Sequence, residues 1–212
     1  METLTRSILE WHTESAPHPS ETLSGDTGSV VLQGHTGFAF ALDALGHGPE
    51  AARTAASASE FLATASPSDS LEGLFLQCHQ QLRDTRGVAL CLARIDAGTD
   101  MMSWLSVGNI QAVHIQLDRQ GLPNYESLIM RGGVVGDRLP ELKASHTRLF
   151  PGDVIVLASD GIEYGWQSEF RADISPRELA SALMNRHRLL KDDALVTVMR
   201  YQGRSGGVDD DG

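Results

Sequence analysis

The chain has 212 residues, 41% of them hydrophobic, and a formal net charge of −11, enough for one large domain with a substantial core. That charge disfavours nucleic acid and anionic membranes as partners, and no apolar run reaches the roughly 18 residues a membrane-spanning helix needs. The opening residues METLTRSILEWHTESAPHPS carry neither an apolar segment nor a small-residue cleavage site, so a cytoplasmic chain is expected.

Residues 6–13 suit a first strand, followed by a polar, Pro-containing connection over 14–23. The stretch SGDTGSVVLQGHTGFAFALDALGHG, residues 24–48, then reads as a hairpin: two apolar, strand-like runs around the turn residues Gly34, His35, Thr36 and Gly37. A turn centred on Gly34 and His35 sets Asp26 opposite Asp43, within about one residue of register. Two facing carboxylates repel, and they persist when one is protonated, when solvent screens both, or when a cation lies between them. After Asp43, a Gly-rich turn leads to Pro49 and Glu50, which suit the first turn of a helix running to about Ala65. Asp69 or Ser70 can cap a second helix, with Leu71, Leu74, Phe75, Cys78 and Leu82 at helical spacing and an end near Gly87.

The pattern then changes to strands over 88–95, 101–107, 110–117, 127–130, 145–149 and 153–158, joined by short turns, which predicts an antiparallel meander. An irregular stretch with Trp166 and Phe170 precedes a helix opened by Ser175 and Pro176, with Glu178 placed to close a capping box. A last strand covers 194–201, and a Gly-rich tail from 203 to 212 with Asp209, Asp210 and Asp211 is expected to be disordered. Residues 1–202 are thus expected to form one domain. Cys78 and Cys91 fall in a helix and a strand, as buried thiols do, and imply neither a disulfide nor a thiolate metal site.

Strands shed aspartate, yet acids stand at the ends of the most hydrophobic strands here: Asp26, Asp43, Asp160, and Asp192 with Asp193. Any one of these before a glycine reads most simply as a turn residue. Four such places in one small sheet structure point to convergence on a hard cation, and all-oxygen ligation suits Mg²⁺ or Mn²⁺. Two such ions suit hydrolysis of a phosphate ester by a metal-activated water, which fits a chain lacking Gly-x-Ser-x-Gly, a Walker A lysine and His-Glu-x-x-His.

In order, SGD (24–26), DALGHG (43–48), SVGN (106–109), GGVVG (132–136), FPGDVIVLASDG (150–161) and DDALV (192–196) resemble the PPM/PP2C-type metal-dependent serine/threonine phosphatases, nearest the bacterial SpoIIE and RsbX-like branch. The resemblance spans residues 9–200. It implies an α+β fold, a four-layer αββα sandwich of two antiparallel sheets flanked by helices, with two Mn²⁺ or Mg²⁺ ions at one end. Carried onto this chain, it makes Asp26 and Asp43 ligands, with Asp43 bridging, the Ala44 carbonyl on one ion, and Asp160 and Asp192, in preference to Asp193, completing the second. It further implies dephosphorylation of Ser or Thr on a small bacterial signalling protein of the STAS-domain, anti-sigma-antagonist or stressosome type.

The chain departs from the pattern at Ala44, where the family has Gly, and at Leu45, where the eukaryotic enzymes have a His. Ala44 would be strained if the turn required positive φ. His47 could serve in proton transfer or phosphate contact, against its plain reading as a turn residue. Arg53, Arg131 and Arg138 are phosphate-binding candidates by position, against surface solvation. Two other functions stay open: a catalytically silent phosphatase-fold interaction module, and a dinucleotide-binding domain using Gly46, Gly48 and Ala51 as G-x-G-x-x-A.

Overall fold

The structure, a computed structural model, describes residues 7–66 and 68–204. Its strands are β1 (Leu9–Ala16), β2 (Asp26–Gln33), β3 (Thr36–Ala44), β4 (Val88–Asp96), β5 (Met101–Val107), β6 (Gln111–Leu117), β7 (Pro123–Ser127), β8 (Ser145–Arg148), β9 (Val154–Ala158) and β10 (Ala194–Tyr201). The helices are α1 (Pro49–Ala63), α2 (Leu71–Gln81) and α3 (Pro176–His187), with a 3-10 turn at Trp166–Glu169. Two five-stranded sheets form, ordered β1-β10-β9-β6-β7 and β2-β3-β4-β5-β8. Every strand pair in both is antiparallel.

Three apolar layers hold the stack together, and the period-2 pattern of the strands sorts residues between them. On β3, Ala39 and Ala41 face the opposite sheet, with Ile155, Leu157, Leu195 and Met199 beyond them. Phe38, Phe40 and Leu42 face the other way, onto Ala55, Leu62, Leu74 and Phe75 of α1 and α2. On the far side Val156, Val196 and Val198 meet Leu179 and Leu183 of α3. The result is the expected four-layer αββα sandwich. Small residues against sheet and large ones against helix let the sheets approach closely while the helices supply bulk.

Local signals set the helices. Pro49 at the first position and Glu50 in the first turn open α1, and Ser70, of the two predicted caps, accepts from the Gly73 amide to start α2. Ser175 and Glu178 form the predicted capping box of α3. α2 stops at Gln81, before a turn that hands the chain to β4.

Three expectations are corrected. The strand expected over 127–130 lies instead at Pro123–Ser127, because Tyr125 packs edge-on against Phe170 and donates its hydroxyl to the Gln167 carbonyl at 3.1 Å. The more apolar Ile129 and Met130 are left exposed. The strands from 88 onward are not one meander: β5 ends in one sheet and β6 begins in the other. Turn composition at 108–110 reports that the chain changes direction and says nothing about which sheet receives it. The dinucleotide reading fails, since β3 before the Gly-rich turn pairs antiparallel on both sides and no βαβ unit follows. Arg6 and residues 205–212, parts of the expected first strand and tail, lie outside the described residues. Among those described, no helix is long and apolar enough to cross a membrane.

Candidate metal centre

The hairpin has the predicted register, Asp26 directly opposite Asp43. Because strand side chains alternate, Asp43 shares the face of Ala39 and Ala41, and Asp26 that of Val30, so both carboxylates enter the space between the two sheets at one end. Asp26 is 3% exposed, and its Oδ2 is buried without a hydrogen-bond partner. Burial, and then the charge of Asp43, push the Asp26 carboxyl well above the usual carboxylate range. Asp43 is pushed up as well, by burial and then by Asp160 and Asp192.

The opposite sheet supplies the remaining acids. Asp160 follows β9 and Asp192 precedes β10, and both line a cleft of about 590 Å³ with Ile162, Glu163, Tyr164, Leu189 and Lys191. Asp160 is raised by burial and then by Asp192, while the Asn109 side-chain amide, donating to its Oδ2 at 2.6 Å, acts in the other direction. Among the described residues none of these aspartates forms an ion pair. Nor are three His, Cys, Asp or Glu side chains drawn to metal-ligand spacing among them. Asp26 and Asp43 meet through strand register, and Asp160 and Asp192 face Asp43 from across the gap between sheets.

Asp193 has a different environment from its neighbour. Its Oδ1 accepts from the His18 amide at 2.6 Å and its Oδ2 from the Gly25 amide at 2.7 Å. Both oxygens are thereby committed to holding the loop that delivers Asp26, whereas Asp192 lines the cleft. Gly161 completes this joint: a β-carbon there would stand 1.9 Å from the Asp193 carbonyl oxygen, so only glycine lets the loop after β9 cross the start of β10.

The Ala44 departure carries no strain. Among the described residues Asp100 alone, other than glycines, has positive φ, and the left-handed turns after Ala44 fall on Gly46 and Gly48, at 78° and 82°. The Ala44 amide donates to the Gly25 carbonyl at 3.1 Å, which ties the two ends of the hairpin together. His47 is exposed; its Nδ1 lies 3.1 Å from Glu21 Oε1 and its ring stacks on His18 at 4.4 Å. Of the arginines, Arg53 lines a separate cleft beside the Glu50–Arg86 ion pair, and Arg131 receives the Gly108 amide on its backbone carbonyl. Arg138 lies exposed in the loop beyond Gly136.

Sequence reasoning gave no role to Asn109, His18 or Lys191. Asn109 stood inside the quoted SVGN stretch, but its contact with Asp160 spans 51 residues and has no local signature.

Comparison with known proteins bears directly on this arrangement. The family model described as stage II sporulation protein E (SpoIIE) matches residues 33–211. The chain belongs to the SpoIIE family. No curated protein matches it by sequence. Among solved structures, one described as "The bacterial stressosome: a modular system that has been adapted to control secondary messenger signaling" superposes with a TM-score of 0.80 at 27% identity, covering 92% of this chain and all of that one. RsbX in complex with magnesium gives 0.81 at 16% identity, over 95% of this chain and 98% of its own. The PP2C phosphatase domain of SpoIIE from Bacillus subtilis, with a fragment of its regulatory domain, gives 0.71 at 19%, over 93% and 64%. This SpoIIE-family chain therefore has the PP2C-type phosphatase fold, with Asp26 buried and Asp43, Asp160 and Asp192 partly buried at the sheet ends.

Proposed function

We propose that the chain is a metal-dependent protein serine/threonine phosphatase, one domain over residues 1–202, acting in the cytoplasm. Its substrate is phosphoserine or phosphothreonine on a small bacterial signalling protein of the STAS-domain or stressosome type. The observation that carries the reading is the buried, unpartnered Asp26 Oδ2 facing Asp43, whose own carboxyl is raised by burial and by the charges of Asp160 and Asp192. An oxygen in that position fits a hard cation. Asp26, Asp43, Asp160 and Asp192, with the Ala44 carbonyl, would hold two Mn²⁺ or Mg²⁺ ions. Such ions, when bound, lower the pKa of an attacking water and neutralise phosphoryl oxygens.

The chain's own groups do the positioning. Asn109 fixes one oxygen of Asp160, and Asp193 anchors the loop before Asp26 through two backbone amides. Lys191, beside Asp160 in the cleft, offers a cation to an incoming phosphate. His47, tethered to Glu21, is the candidate proton donor to the leaving oxygen. The stressosome setting of one structural neighbour, and RsbX as another, support the substrate class.

The test is Mn²⁺-dependent hydrolysis of p-nitrophenyl phosphate and of a phosphoserine peptide. Asp43→Asn should lower kcat at least about a hundredfold, the size of losing one transition-state-stabilising group. A wild-type protein that turns over neither substrate with Mn²⁺ or Mg²⁺ would instead be a catalytically silent interaction module.

A further inference from the structure

Beside the carboxylate cleft lies a second, smaller cavity of about 70 Å³, lined by Ala112, Val113, Leu128, Met130, Tyr164 and Gln167, with Gln111 and Ser127. Tyr164 lines both, so the two are adjacent. Several polar atoms of the smaller cavity are already engaged within the protein. Gln111 Nε2 donates to the Ile162 carbonyl at 2.8 Å, its Oε1 accepts from Trp166 Nε1 at 3.3 Å, and the Gln167 carbonyl accepts from Tyr125. Ala112, Val113, Leu128 and Met130 give it an apolar wall that an apolar occupant would cover favourably.

The rim points the same way. Ile129 is 77% exposed, Tyr164 61% and Met130 43%, and the Tyr164 hydroxyl donates to Met130 Sδ at 3.7 Å across the opening. The chain here has left the sheet. The Leu128 amide still bonds the Ala112 carbonyl, but among the described residues the backbone amides of Ile129 and Met130 have no partner. Exposed apolar side chains next to free backbone donors suit an extended polypeptide segment, which brings both side chains and carbonyls.

We propose that this cavity seats an apolar side chain of the phosphoprotein substrate close in sequence to its phosphoserine or phosphothreonine, with the substrate backbone running extended along Ile129 and Met130. The proposal rests on the phosphatase reading and gives it a specificity element: substrates are selected for an apolar neighbour of the phosphorylated residue. Adjacency through Tyr164 puts that neighbour within a few residues of the phosphate, since an extended chain advances about 3.3 Å per residue.

The experiment uses alanine-based phosphoserine peptides in which one leucine is walked from three residues before the phosphoserine to three after, with the all-alanine peptide as reference. In wild type, one or two leucine positions should raise kcat/KM about tenfold or more over the reference, the usual worth of filling an apolar pocket. In Met130→Ala and in Ile129→Asp, both surface changes, that ratio should fall toward one. A leucine scan that is flat in wild type, or a preference that survives both variants, overturns the proposal. If no peptide is hydrolysed, the phosphatase reading fails by itself, and anisotropy of the labelled peptides without added metal decides the binding question. Tighter binding of a leucine peptide that both variants abolish supports the cavity, and equal binding of all peptides sinks it.

Discussion

Two regions of this protein bury acids, and they do so in opposite ways. At one edge of the stack His114 lies between Asp153, 2.8 Å from its Nε2, and Glu126, 3.5 Å from its Nδ1. Asp153 also accepts the Phe150 amide, and Glu126 accepts the Thr147 hydroxyl, so strands β6, β7, β8 and the start of β9 are clasped by one cluster in which the buried acid, Asp153, has an imidazole partner. At the sheet ends that carry Asp26, Asp43, Asp160 and Asp192, Lys191 stands near Asp160, but among the described residues none of these acids forms an ion pair and an oxygen of Asp26 has no partner. The first cluster is complete within the chain and serves stability. The second costs stability, which a protein retains where function requires it.

Substitutions should therefore change stability in opposite directions at the two places. The largest effect is expected at the clasp: Asp153→Asn should destabilise by about 3 kcal/mol, because it leaves the buried imidazole only its longer contact to the half-exposed Glu126, and a urea melt would measure this. At the acidic end, Asp26→Asn should stabilise the metal-free protein by about 1 kcal/mol, because it removes the cost of burying an ionisable carboxyl and then its repulsion with Asp43. The same change should abolish the rise in Tm that Mn²⁺ gives the wild type, a rise worth about 2.7 kcal/mol at a hundredfold excess over Kd. If Asp26→Asn destabilises the metal-free protein, the two clusters are alike and the contrast fails.

pH sharpens the same contrast. Burial would lower the His114 pKa, but the bond and charge of Asp153, and then those of Glu126, outweigh it and the net shift is upward from 6.5. A base raised on folding contributes stability that is fully present below about 6.5 and is lost as pH rises through the folded-state value. Asp26 and Asp43, also raised, make the metal-free protein lose stability as pH rises above the ordinary carboxylate range. Saturating Mn²⁺ should remove the carboxylate slope and leave the histidine one, while Asp153→Asn should do the reverse; Tm against pH in the four combinations reads this directly. The smallest effect is expected at Ala44→Gly: since Ala44 lacks positive φ, restoring the family's glycine should gain nothing and cost about 0.5–1 kcal/mol in a thermal melt.

Much of this was readable in the residues because it is local. The Asp26 to Asp43 register follows from a two-residue turn at Gly34 and His35 and the strict alternation of strand side chains. Pro49, Ser70 and Ser175 mark helix starts through backbone groups within three residues of themselves. The strand at Pro123–Ser127 was missed because its apolar content is low and its place is fixed by Tyr125 reaching Phe170 and Gln167.

The sequence by itself determined which residues could pair, cap and alternate, and hence that acids stand at the ends of apolar strands. Only the tertiary structure decided that β5 and β6 belong to different sheets, that Asp193 binds two backbone amides while Asp192 lines the cleft, and that Asn109 reaches Asp160. The division has a physical cause: hydrogen bonds within a turn or hairpin are encoded by neighbours, whereas contacts between sheets form only once burial of the shared apolar core has brought distant segments together.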